Sequence, residues 1–64
     1  MAPFQERVKV ESAELDARIE KLANFLEMKA FRELDPAEQE RLRCQLDFMV
    51  GYAGVLARRI AAFR

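Results

Sequence analysis

The residues best suited to hold a ligand are one tyrosine and three arginines late in the chain: Tyr52, Arg58, Arg59 and Arg64. No acidic residue follows Asp47. The guanidinium of arginine offers a planar, two-pronged donor to phosphate, and an aromatic ring such as that of Tyr52 or Phe63 can stack on a nucleobase. These residue types predict a site for a small anionic nucleotide. In the alternative, the arginines only stabilise a helix C-terminus, each by about 0.3–1 kcal/mol.

The residues that usually perform catalysis are missing from the sequence. It has no histidine and one cysteine, Cys44. The usual general base and the Ser-His-Asp triad are therefore absent, as are an intrachain disulfide and a cysteine–histidine metal site. Arg41 and Arg43 could lower the pKa of the Cys44 thiol, but no partner base stands beside it in the sequence. We predict a protein that is not an enzyme and that needs no metal or cofactor.

Charge and hydropathy exclude two classes of partner. The chain has 11 basic and 11 acidic residues, a net charge of zero, whereas a general nucleic-acid binder needs a basic excess. The longest uncharged run is Phe48–Ala57, which is about half the length of a membrane-spanning helix. The first residues are mixed and charged, without the apolar segment of a signal peptide. We expect a cytoplasmic protein without membrane association or general nucleic-acid binding.

Two long helices are predicted to position the candidate residues. The first covers about residues 4–28, where apolar side chains recur at helical spacing with one gap at Glu11 and Ser12. They are Phe4, Val8, Leu15, Ile19, Leu22 and Leu26. This spacing places a single apolar stripe on one side of the helix.

A connector over residues 29–35 separates the two helices. Asp35 can cap the second helix, Pro36 suits its first position, and Glu38 stands where a capping-box partner belongs. A residue before proline is pushed away from helical angles, so the first helix must end before Asp35. Residues 29–34 can form an extra short turn within this connector.

The second helix covers about residues 36–63 and carries the more regular stripe. Its members alternate four and three apart: Leu42, Leu46, Met49, Ala53, Leu56, Ile60 and Phe63. Heptad spacing is typical of a long helix packed along another, and a short connection makes two such helices antiparallel neighbours. We predict an all-α fold with one domain over residues 1–64, an antiparallel helical hairpin.

A further set of residues on the second helix predicts assembly. About a quarter-turn from the main stripe lies a flank formed by Cys44, Phe48, Tyr52, Val55 and Arg59. One hairpin partner cannot cover both sides, and a chain of this length buries only about 60% of its unfolded surface alone. We therefore predict a helical-bundle homo-oligomer in which the flank is an interface. In the alternative, Phe31 and Leu34 of the connector fold inward and cover part of it.

Gly51 and Gly54 lie inside the predicted second helix, where each glycine costs about 1 kcal/mol relative to alanine. A missing Cβ permits another backbone or a ligand to approach closely. The pair therefore indicates close helix packing, close approach of a ligand, or a tolerated weak point in the helix. The sequence leaves these alternatives open.

Residues spread over almost the whole chain form one more pattern. They are Glu6-Arg7-Val8, Glu14-Leu15, Lys21-Leu22, Phe25-Leu26, Phe31, Leu34, Gln39, Leu42, Gln45-Leu46, Met49, Tyr52, Leu56 and Arg59-Ile60. This pattern resembles a family of very short phage and prophage proteins, named after a crAss-like phage protein and largely of unassigned function. Tyr52 and Arg59 belong to the pattern although they lie off the main stripe, which makes them the first candidates for a site.

The resemblance implies a phage origin and action in the host cell cytoplasm. Small non-catalytic phage proteins often bind a host protein or sequester a nucleotide immune signal, and some hold cyclic nucleotides between protomers with arginine and aromatic side chains. By analogy of class, we predict a counter-defence protein that sequesters a cyclic oligonucleotide or an ADP-ribose derivative at inter-protomer sites. In the alternative, it binds and modulates a host protein through Phe48, Tyr52 and Val55.

Overall fold

A computed structural model describes residues 2–64, which form three α-helices. Helix α1 spans Pro3–Phe25, α2 spans Lys29–Arg32 and α3 spans Pro36–Ala61. The two long helices, α1 and α3, contact each other, and residues 2–64 contain no strand. The prediction of an all-α protein built on two long helices is thereby confirmed. The chain forms a rod of 47 × 14 × 13 Å.

The two long helices run in opposite directions. Phe4, at the start of α1, packs edge-to-face on Phe63, just beyond α3, with ring centroids 5.9 Å apart. Further along, the hydroxyl of Tyr52 on α3 donates a hydrogen bond to the carboxylate of Glu11 on α1. Since the first residues of α1 contact the last residues of the chain, α1 and α3 form a helical hairpin.

The core of the hairpin is narrow. Three buried apolar side chains lie between α1 and α3, namely Val8, Leu15 and Leu56, and only Leu56 is fully buried. Five partly buried side chains pack against them: Ile19, Met49, Ala53, Ile60 and Phe63. All eight belong to the two predicted stripes, because residues three and four apart lie on one side of an α-helix. Each long helix therefore buries one stripe against the other and turns its opposite side outward.

The connector is more ordered than a plain loop. Helix α1 ends at Phe25, three residues before the predicted end at residue 28, because Met28 takes an extended conformation with φ −85° and ψ 154°. Phe31 on α2 is buried, with its ring edge-to-face on Phe25 at 6.0 Å. The guanidinium of Arg43 lies 5.2 Å from the Phe31 ring centroid, a distance typical of a cation–π contact. The short α2 is the extra turn predicted for residues 29–34.

The start of α3 follows the predicted signal in part. The carboxylate of Asp35 accepts a hydrogen bond from the backbone N–H of Ala37 at 3.0 Å, which satisfies one of the free donors at the start of a helix. The expected capping box with Glu38 is not seen among the described residues. The Glu38 carboxylate lies 2.7 Å from Nε of Arg41 instead, and a charged partner one turn further along competes well with a backbone N–H.

No helix within residues 2–64 has the length and apolar character that a bilayer crossing requires.

Candidate functional site

Tyr52 and Arg59, the first candidates from the sequence, lie on the same side of α3. They are seven positions apart in the sequence, which is about two helical turns or roughly 10 Å along the axis. Both are exposed, Tyr52 by 45%. Within residues 2–64, no carboxylate forms an ion pair with Arg59. The two side chains form an accessible aromatic and cationic pair, a combination that suits a nucleobase and a phosphate.

The other two candidate arginines lie apart from this pair. Arg58 points about 100° around the helix from its neighbour Arg59, toward the outer side of α3. Arg64 lies beyond Ala61, where α3 ends. Both are exposed. A single copy of the chain therefore places Tyr52 and Arg59 on one side and does not collect all four candidates at one point.

The position of Tyr52 depends on α1. Its hydroxyl donates to the carboxylate of Glu11, which sequence reasoning had not singled out as a site residue. The signal was the gap at Glu11 in the apolar stripe of the first helix, since a polar residue facing a partner helix needs a polar contact. Because this carboxylate is negatively charged, it disfavours an anionic ligand at the hydroxyl of Tyr52.

Phe63 is not free to stack on a base. Its ring is half-buried and meets the ring of Phe4 at an interplanar angle of 79°. This contact closes the open end of the hairpin. Of the two aromatic residues predicted as stacking partners, only Tyr52 is accessible.

Gln39 is a second residue whose role the sequence did not reveal. Its side-chain amide donates to the backbone carbonyls of Phe31 at 3.2 Å and Leu34 at 3.0 Å. A carbonyl at the end of a helix lacks an intrahelical partner, and Gln39 supplies one for α2. This contact fixes the connector to α3 rather than serving a ligand.

The outer side of α3 carries apolar side chains that the chain itself does not cover. Phe48 is 79% exposed and Val55 is 41% exposed. Phe31 packs against Phe25 instead, so the alternative in which the connector covers this flank does not hold. Large exposed apolar patches are typical of interaction surfaces.

The two glycines lie on this outer side. A Cβ built on Gly51 or Gly54 would meet no atom within 4 Å, and neither glycine has a positive φ. Nothing in a single chain therefore requires glycine at these positions. The two explanations that depend on close approach, by another helix or by a ligand, both need a second molecule.

The environment of Cys44 differs from the expected one. The thiol is exposed and lies 3.6 Å from the carboxylate of Glu40. The hydrogen bond to Glu40 and the negative charges of Glu40 and Asp47 raise the pKa of the Cys44 thiol, so the lowering that Arg41 and Arg43 could have caused is not seen. A thiol held in its protonated form is a poor nucleophile. Residues 2–64 also contain no group of three or more His, Cys, Asp or Glu side chains placed to bind a metal ion.

Comparison with known proteins identifies the family. The profile of the Sequestin family matches residues 2–62. The chain belongs to the Sequestin family. A curated relative, described as an uncharacterized 7.5 kDa protein in the denB-rIIB intergenic region of Enterobacteria phage T4, is 41% identical over 64 residues, covering 100% of both chains. No solved structure matches the chain.

The predicted membership in a family of short phage proteins is confirmed by the Sequestin profile and the phage T4 relative. The association with crAss-like phages in particular stays a prediction. The name Sequestin hints at a sequestering role, while the phage T4 relative is described as uncharacterized.

Proposed function

We propose that this Sequestin-family protein sequesters a nucleotide-type immune signal of the host, such as a cyclic oligonucleotide or an ADP-ribose derivative, without catalysing a reaction. The observation that carries the proposal is the accessible pair of Tyr52 and Arg59, which has no acidic partner at the arginine. The family name and the phage relative support a sequestering phage protein. Removing the signal in the host cytoplasm would counter host defence.

Each proposed contact has a separate physical role. The ring of Tyr52 stacks on a base, an interaction of about 1–3 kcal/mol. Arg59 binds a phosphate through two parallel N–H donors, and a hydrogen bond to a charged group contributes about 1.5–3 kcal/mol. Arg58 and Arg64 add positive charge around the site rather than contacts at the same point.

The proposal includes a helical-bundle homo-oligomer with the ligand at inter-protomer sites. Residues 2–64 form no pocket, and a nucleotide resting on one exposed ring would stay largely in water. The exposed side chains of Phe48 and Val55 provide apolar surface for contact between copies. A second copy that covers this surface would also enclose a ligand held by Tyr52 and Arg59.

Calorimetry on the assembled protein tests the proposal. The ligands are cyclic dinucleotides, cyclic trinucleotides and ADP-ribose derivatives, titrated into the wild-type chain and into Arg59→Gln. Loss of a charge-assisted contact should weaken binding at least about tenfold. The matched control is Arg18→Gln, which alters an exposed arginine on α1 that lies 3.9 Å from Glu14 and should leave binding unchanged. No heat from any ligand, with the assembled state verified, would remove the proposal.

A second function is favoured by the 79% exposure of Phe48. In this alternative, Phe48, Tyr52 and Val55 form a surface that binds and modulates a host protein. It predicts a monomer or dimer that captures one host protein, and Tyr52→Ala should abolish the capture. Light scattering coupled to size-exclusion chromatography separates the two functions, because a monomer at all concentrations leaves no inter-protomer site for a nucleotide.

A further inference from the structure

Six exposed residues form a line on the side of α3 that faces away from α1. They are Cys44, Phe48, Gly51, Val55, Arg58 and Ala62. We call this line the outer stripe. Its members are four, three, four, three and four residues apart, which keeps them within an arc of about 80° on the helix. Heptad spacing of this kind is the geometry by which one helix packs along another.

We propose that the outer stripe pairs with the outer stripe of a second copy, antiparallel, about a two-fold axis that crosses the outer side of α3 at the level of Ala53. The spacing between the members of the outer stripe is the same in both directions along the helix. Reversal of one copy therefore sets Phe48 opposite Arg58, and Gly51 opposite Val55. The contact is self-complementary, as a two-fold interface must be. This pairing is one form of the homo-oligomer in the proposed function, and it rests on the chain forming a homo-oligomer. It does not depend on ligand binding.

Charges on the outer side favour the antiparallel direction. Asp47 and Arg58 are both exposed, and within residues 2–64 neither forms an ion pair. In the antiparallel pair, Asp47 of each copy lies beside Arg58 of the other, so two opposite-charge contacts form by symmetry. In a parallel pair through the same side, Arg58 of one copy would face Arg58 of the other, and the two Asp47 side chains would lie on opposite edges of the contact. Like charges in contact repel, so the parallel arrangement is disfavoured.

Gly51 fits the same arrangement. Apart from its chain neighbours and the backbone of its own helical turn, a Cβ added there would meet no atom within 4 Å, so the hairpin does not explain the glycine. In the antiparallel pair, the branched side chain of Val55 from the second copy lies opposite Gly51. The missing side chain leaves room for it and lets the two helices approach closely, which is the use of small residues at helix crossings.

The pairing also relates the two copies of the candidate site. Tyr52 and Arg59 lie on the same edge of the outer stripe. The two-fold axis at the level of Ala53 therefore brings both Tyr52 side chains to one edge of the interface, with one Arg59 beyond each of them. The proposed nucleotide site would then contain side chains of both copies.

Charge reversal tests the pairing. Light scattering with size-exclusion chromatography is applied to Asp47→Arg, to Arg58→Asp and to the double variant carrying both changes. Each single change turns two attractive contacts into repulsive ones and should weaken self-association about tenfold, more at low salt. The double variant should regain wild-type association, and so should an equimolar mixture of the two single variants. Asp16→Arg makes the same change on α1 and should have no effect; circular dichroism verifies that every variant is helical.

The outcomes separate this pairing from the broader proposal. Oligomers that persist unchanged in both single variants would overturn the antiparallel pairing but leave a homo-oligomer in place. A wild-type chain that is monomeric at all concentrations would overturn both. Failure of the double variant and of the mixture to regain association would also count against the pairing, since both restore opposite charges.

Cross-linking determines the direction of the pair. The antiparallel pair sets Cys44 opposite Ala62, and it separates the two Cys44 thiols by roughly 27 Å, or 18 residues at 1.5 Å each. A short bismaleimide should therefore link Ala62→Cys into covalent dimers through the native Cys44, and should not link the wild-type chain. Ala62→Cys combined with Cys44→Ala is the control and should stay unlinked. Efficient linkage of the wild-type chain would show a parallel pair and overturn the proposal.

Discussion

The two sides of α3 differ in what covers them. The inner side meets α1 and contains Leu56, which is fully buried. The outer side contains Phe48 and Val55, which are 79% and 41% exposed. A helix with apolar residues on one side needs one partner, and a helix with apolar residues on both sides needs two. The comparison shows that the hairpin buries the inner side of α3 and leaves the apolar side chains of Phe48 and Val55 exposed.

The glycines show the same difference between the two sides. The inner side uses Met49, Ala53 and Ile60 to fill the space toward α1. The outer side has Gly51 and Gly54, and its open space extends at least 4 Å beyond an added Cβ. Packed interiors leave few such gaps. In the free chain the outer side is therefore a surface, with open space where a second molecule could approach the two glycines.

The largest expected effect comes from Leu56→Ala on the inner side. Truncation of a fully buried leucine costs about 2–5 kcal/mol, and a chain this small has only about 3–5 kcal/mol in total. The hairpin should be largely unfolded at 25 °C, as measured by circular dichroism in a urea titration. Val55→Ala, one residue earlier and on the outer side, should change the unfolding free energy of the monomer by no more than about 0.5 kcal/mol. Equal effects of the two changes would mean that the two sides do not differ.

Phe48→Asp tests the outer side directly. A charge in an apolar contact between copies should prevent self-association while the helix content stays unchanged. The midpoint of thermal unfolding should then no longer rise with protein concentration, because association stabilises only the folded state. Val10→Asp is the control: Val10 is 55% exposed on α1 and should tolerate the same change. A dimer that survives Phe48→Asp would place the interface elsewhere.

Tyr52→Phe tests the edge between the two sides. The change removes the hydroxyl that donates to Glu11 and should lower the unfolding free energy by about 0.5–1.5 kcal/mol. A double-mutant cycle with Glu11→Ala, followed by urea unfolding, isolates the contact. Additive effects of the two changes would show that the hydrogen bond contributes nothing. The phenylalanine variant keeps the stacking ring, so nucleotide binding should fall much less than in Arg59→Gln.

Gly51→Ala should stabilise the folded monomer and weaken its self-association. Alanine is the better helix former by up to about 1 kcal/mol, and its Cβ has free space within the chain, so the monomer should become more stable. The same Cβ should loosen the pair if Val55 of a second copy lies opposite. Unfolding at low concentration and light scattering at high concentration measure the two effects. A gain in both would show that no helix approaches Gly51.

The smallest expected effect concerns the reactivity of Cys44. The Glu40 carboxylate raises the pKa of this thiol, so at pH 8 less thiolate is present than without it. Glu40→Gln should lower the pKa of Cys44 and speed alkylation, since the thiolate is the reactive form and more of it would be present. Alkylation should also slow at concentrations where the outer stripe is covered. A rate independent of both the substitution and the concentration would contradict the assignment of Cys44 to an interface near Glu40.

Local spacing was sufficient to predict most of the fold. The stripe from Leu42 to Phe63 predicted the side of α3 that meets α1, because a single partner and a regular period leave little choice. The boundary at Asp35 and Pro36 was equally clear, since proline restricts both itself and the residue before it. The end of α1 was misplaced by three residues, because Met28 leaves the helix to allow Phe31 to reach Phe25. The spacing of apolar residues within a helix does not predict such a contact, because Phe25 and Phe31 lie on either side of a turn.

The candidate site was predictable by residue type but not by arrangement. Exposed arginines and a tyrosine on α3 follow from the sequence, since helical spacing assigns each a direction. The link from Tyr52 to Glu11 depends on the register of α1 against α3, which side-chain packing sets. The pKa of Cys44 depended on which neighbour its thiol meets: Glu40 one turn earlier, rather than the flanking arginines.

The sequence by itself determined that the chain forms two long helices with more apolar surface than one hairpin can bury. The reason is that the periodicity of apolar residues and the composition are local properties, which each helix has without the other. Only the tertiary structure decided which apolar side chains stay exposed: Phe31 packs against Phe25, and Phe48 is left uncovered. The physical reason is that a connector of ten residues between Phe25 and Pro36 can cover one surface or the other, and packing energy rather than spacing selects between them.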